Sequence, residues 1–182
     1  MAFSFLKISA EEAIKLNRDP LSVSEILARL EYEEDLFMET EYCYAINLLL
    51  TGREKGGDPP LCYVFSGERW IDDCYKNEKK IENPNYEVNP EEGARLKATV
   101  QLGEGGAYVA YTKPETIRRI CDVLISSEAL KARYDPDFLG KSEFLGVWNH
   151  ENVDELVSAY EALEVFYTEC AEEGRGVLIF AD

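Results

Sequence analysis

The sequence predicts an α+β fold: a single domain over residues 1–182, with a small mixed or antiparallel sheet covered by several helices, the longest of them C-terminal. Three observations predict it. Val153, Leu156, Val157, Tyr160, Leu163, Phe166, Tyr167 and Cys170 recur at helical spacing and form one continuous apolar stripe, as in a helix laid on a core. Val177-Leu-Ile-Phe180 is apolar throughout, as befits a strand covered on both faces and interior to a sheet. Residues 2–8 are apolar and aromatic and read as a further short strand that needs the same cover.

The elements between follow from local chemistry. Ser9-Ala-Glu-Glu12 has the serine and third-residue glutamate of a capping box, so a helix opens there. Asn17-Arg-Asp-Pro20 closes it, because proline disfavours helical backbone in the residue before it. Ser22-Val-Ser-Glu25 starts a short helix to Leu30, and the acid-rich residues 31–41 read as a loop or a frayed helical entry. From Tyr42 the pattern is helical and buried, with Ile46, Leu49 and Leu50 on one face and Gly52 placed for a left-handed cap. Residues 53–60 form a loop; Leu61–Ser66 is too short for periodicity to separate strand from helix, and Gly67 ends it.

Residues 76–97 are polar and rich in Asn and Pro, which reads as a long surface loop or insertion. Thr99–Leu102 and Ala107–Tyr111 read as strands around the glycine turn at Gly103, Gly105 and Gly106. Thr112-Lys-Pro-Glu115 reads as a second capping box with proline in the first turn, opening a helix to about Ser126. A short helix from Ser127 to Arg133 and a turn begun at Asp135-Pro136-Asp137 follow. The long last helix starts from Asn149 or Asn152, and Gly174 caps its end.

Charge narrows the function. There are 36 acids against 19 Lys and Arg, a formal net charge of −17. Nucleic-acid binders concentrate cations against phosphates, so a generic DNA or RNA binder is excluded, and an anionic membrane surface is a poor partner. No stretch approaches the ~18 apolar residues of a membrane span, and the start lacks the basic flank and apolar core of a secretion signal. Cys43, Cys62, Cys74, Cys121 and Cys170 are odd in number and widely spaced, with no C-x-x-C pair, which fits reduced thiols in a cytoplasmic protein. With a single histidine, His150, and no tight ligand pair, the sequence calls for no metal site and no cofactor.

Catalytic motifs are missing. Gly103-Glu-Gly105-Gly106 precedes a strand rather than a helix, so no helix terminus is aimed at a phosphate. Phe65-Ser66-Gly67 lacks a nucleophile elbow, and His150, at a predicted helix start, is the one imidazole that could serve a serine or cysteine. Paired carboxylates carry no signal in so acidic a chain.

Several landmarks then line up in order: Leu49-Leu-Thr-Gly52, Pro60-Leu61, Gly67, Ala110-Tyr-Thr-Lys-Pro-Glu115, Asp135-Pro136, Trp148, Phe166-Tyr167 and Ala171-Glu-Glu-Gly174 leading into Val177–Phe180. Together they resemble the YfbM-like family, bacterial proteins described as a domain of unknown function. The resemblance implies a single α+β domain, bacterial and cytoplasmic, and brings no established activity or catalytic residues. The chain departs from the family helix at Cys43 and Asn47, where a tryptophan and a histidine are expected.

Two surface readings remain. Glu151, Asp154, Glu155, Glu161, Glu169 and Glu172 line the face of the last helix opposite its stripe, with no Lys or Arg between Glu151 and Glu173 to pair them. Either cations from another segment, such as 76–80, neutralise this face, or it engages a basic protein, as immunity or antitoxin proteins do. The alternative is an enzyme or small-molecule binder with a cleft near Asn47, Thr51 and Trp148. A third reading gives the charge no role beyond solubility.

Overall fold

The structure, a computed structural model, describes residues 3–18, 37–72, 108–141, 148 and 152–181. The described strands are β1 (Phe3–Ile8), β2 (Phe37–Thr40), β3 (Arg69–Asp72), β4 (Tyr108–Thr112) and β5 (Gly176–Ala181). They form a five-stranded sheet in the order β2-β1-β5-β4-β3, with every neighbouring pair antiparallel. Of the two sheet types the sequence left open, the antiparallel one is present. β5 lies between β1 and β4, as its unbroken apolar run requires.

The described helices are α1 (Ala10–Arg18), α2 (Cys43–Thr51), α3 (Tyr63–Ser66), α4 (Pro114–Cys121), α5 (Ser127–Ala132), α6 (Pro136–Leu139) and α7 (Asn152–Glu173). The main core gathers Phe3, Phe5, Val177 and Ile179 of the sheet with Ile46 and Leu49 of α2, Ile117 and Ile120 of α4, and the α7 stripe. Within that stripe Leu156, Tyr160, Leu163, Phe166, Tyr167 and Cys170 are buried, while Val153 and Val157 are half-buried. A second cluster joins Leu6, Ile8, Val109, Tyr111 and Leu178 to Ala13 and Leu16 of α1, so α1 covers the opposite sheet face.

Polar contacts pin the layers. Tyr160 and Tyr167 are fully buried, and their hydroxyls donate to the carbonyls of Ile125 and Val64, each at 2.6 Å. The capping box of α1 is formed: Glu12 N–H donates to Ser9 Oγ at 3.1 Å, and Ser9 N–H donates to the Glu12 carboxylate at 2.7 Å. Gly52 closes α2 at φ 75°, and Gly174 follows α7 at φ 66°.

Three expectations are corrected, and one left open is decided. Residues 37–40, expected as loop or frayed helix, form β2, whose pairing with β1 local pattern does not show. Leu61–Ser66, left open between strand and helix, is a turn followed by α3. The helix after β4 ends at Cys121 rather than near Ser126, because Ser126 is the N-cap of α5. That helix also has no capping box: Thr112 stays in β4, and Glu68, distant in sequence, supplies the carboxylate instead. The helix expected over 22–30, the loop at 76–97 and the strand at Thr99–Leu102 lie outside the described residues.

Glu68 accepts from Thr116 Oγ1 at 2.8 Å, Lys113 Nζ at 3.0 Å and Lys113 N–H at 3.3 Å. Burial alone would push its carboxyl up, but these hydrogen bonds and the Lys113 charge together hold it below the ordinary 4.5. A lowered folded-state value gives stability that is present above 4.5 and lost as pH falls through the folded value. Glu68→Gln should therefore be less stable than wild type at pH ~7, with the gap closing towards pH ~3. Urea midpoints at the two pH values test this; a gap independent of pH would show that the carboxylate charge contributes nothing.

Candidate acidic interface

The candidate acids stand where α7 turns away from the core. Asp154, Glu155, Glu161, Glu169 and Glu172 are all exposed; Glu151 lies outside the described residues. Neither reading of their surroundings holds along the whole face. At the N-terminal end, Lys131 Nζ of α5 meets Asp154 Oδ1 at 2.8 Å. Both side chains are largely exposed, at 52% and 82%, so the pair contributes little. The Tyr42 hydroxyl donates to Glu155 Oε2 at 2.7 Å. That hydrogen bond, then burial, then the carboxylate charge raise the phenol above its usual value.

At the C-terminal end, Lys7 of β1 does the pairing. Its side chain is only 5% exposed, and Nζ lies 2.6 Å from Glu169 Oε2, 3.8 Å from Glu173 Oε1 and 5.6 Å from the centre of the Phe166 ring. Burial alone would lower the ammonium, but the hydrogen bond to Glu169 and the surrounding negative groups reverse this and raise it. Arg175 Nε meets Glu173 Oε2 at 2.7 Å. Cations at this end also offset the negative pole of the helix, against which an unpaired acid costs about 0.3–1 kcal/mol.

Among the described residues, Glu161 and Glu172 have no such partner. Between them on the same face lies Val165, 56% exposed. Among the described residues, the middle and outer end of α7 thus present carboxylates without a cation around an apolar side chain. The stretch 76–80, a candidate source of cations, lies outside the described residues; among the described residues Lys7, Lys131 and Arg175 pair with acids at the two ends of α7. The signal for Lys7 was its register: it shares the inward face of β1 with Phe3 and Phe5, where a cation needs an acid. The signal for Val165 was its place on the wheel, opposite the stripe.

The alternative residues are used differently. Asn47 is 3% exposed, and its Nδ2 donates to the carbonyls of Arg53 at 2.7 Å and Gly56 at 3.1 Å. The Thr51 hydroxyl donates back to the Asn47 carbonyl at 2.8 Å and accepts from Arg53 N–H at 3.2 Å. The two side chains tie the following loop onto the end of α2, which accounts for a polar residue on a buried face. Trp148 packs edge-to-face against Tyr42 and Tyr134, with ring centres 6.0 and 6.1 Å away, beside the start of α2.

Two grooves flank α1. One, about 750 Å³, lies between α1 and the end of α7, and is lined by Ser9, Glu11, Glu12, Lys15, Glu173 and Arg175 among others. The other, about 370 Å³, lies against the start of α4 and is lined by Ala13, Ile14, Arg18, Lys113, Pro114 and Glu115 among others. Neither is lined by Asn47, Thr51 or Trp148. Ser66 Oγ donates to the Cys62 carbonyl at 2.6 Å, and His150 and Cys74 lie outside the described residues. Cys43, Cys62 and Cys170 are buried free thiols, and Cys121 is half-buried. Burial pushes the Cys170 thiol up to about 12, far from a reactive thiolate. Among the described residues no three His, Cys, Asp or Glu side chains are grouped to hold a metal ion, and no helix is long and apolar enough to cross a membrane.

Residues 92–180 match the family model described as Domain of unknown function (DUF1877). No curated protein matches the sequence. Among solved structures, the chain is similar to a protein of unknown function, YfbM from Escherichia coli, with a TM-score of 0.58 and 15% sequence identity over 100% of both chains. At that identity the likeness is one of fold. Residues 92–180 are thus similar to a domain of unknown function, and the chain shares its fold with YfbM.

Proposed function

We propose that this is a non-enzymatic acidic binding protein of the bacterial cytoplasm, immunity- or antitoxin-like in kind, which engages a basic protein through the outer face of α7. The observation that carries the reading is the pair Glu161 and Glu172, exposed and, among the described residues, without a cation, on either side of the exposed Val165. An apolar seat rimmed by unpaired charge suits a partner helix or loop that presents an aliphatic side chain among Lys and Arg. A net charge of −17 steers such a partner from a distance, and wrong partners of like charge are repelled. Retaining Glu172 near the negative end of α7 works against the helix itself, which favours a role outside the fold.

The test places a photo-crosslinking amino acid at position 165 in the native host. The expected product is one basic protein, lost in the Glu161→Lys, Glu172→Lys double variant. That variant should fold as stably as wild type or slightly better, because a lysine suits the C-terminal turn of a helix by about 0.3–1 kcal/mol. An undiminished crosslink in the folded double variant, or a captured partner that is not basic, would overturn the proposal.

A further inference from the structure

We draw no further inference here: the strongest candidate, the groove between α1 and the first turn of α4 with Arg18 and Lys113 at its rim, carries nothing, because Lys113 is already paired with Glu68, Glu115 stands among the lining residues against Arg18, and nothing in the structure shows what covers its apolar floor.

Discussion

Phe166→Ala is expected to lower the unfolding free energy by about 3–5 kcal/mol, and Leu163→Ala by about 2–5 kcal/mol. Both side chains belong to the main core, Leu163 fully buried and Phe166 only 6% exposed. The Phe166 ring meets Phe5 edge-to-face at 6.2 Å and Tyr167 at 6.0 Å, and it lies beneath the Lys7 ammonium. Truncation therefore opens a cavity between α7 and β1 and removes the apolar support of the lysine that neutralises Glu169. Urea unfolding followed by far-UV circular dichroism measures both losses. A loss below about 1 kcal/mol for both would show that this face of α7 is not the core.

Gly67→Ala should be comparably damaging, by about 2–6 kcal/mol, for a different reason. Gly67 has φ 66° and ψ 161°, a conformation that side chains avoid, at the turn from α3 into β3. A Cβ there would lie 2.6 Å from the Ala110 Cβ and 3.1 Å from the Tyr111 nitrogen, both on β4. Neither can retreat, since Ala110 and Tyr111 are fully buried and paired with β5. Gly52→Ala is the control: its φ of 75° is as positive, but a Cβ would meet nothing within 4 Å. It should cost only the left-handed penalty of about 1–2 kcal/mol. Equal losses for the two variants, by the same urea assay, would refute the steric argument.

What sequence could show here depended on how local the cause was. The stripe of α7, the apolar run of β5, the Ser9–Glu12 cap and the Gly52 stop were legible because each is written within a few residues. β2 and β3 were not, because their four-residue segments are strands by virtue of partners far along the chain. The carboxylate from Glu68 to the start of α4 escaped for the same reason, since it crosses the interval between β3 and β4. In the acidic face the charges were legible and their compensation was not. Lys7 and Lys131 come from β1 and α5, and only the packing of those elements shows which acids they reach.

The sheet order also bears on how the chain reaches this state. Phe3 pairs with Ala181 and Ile8 with Gly176, so β1 and β5 join segments far apart in sequence across the middle of the sheet. During synthesis β1 has no central partner until β5 has left the ribosome. Phe5 and Leu6 must wait with one edge open. Closing so long a loop comes late and slowly, and folding should be governed by this non-local pairing rather than by the helices. Any truncation that removes β5 therefore takes away the strand that joins β1 to β4, not a dispensable tail.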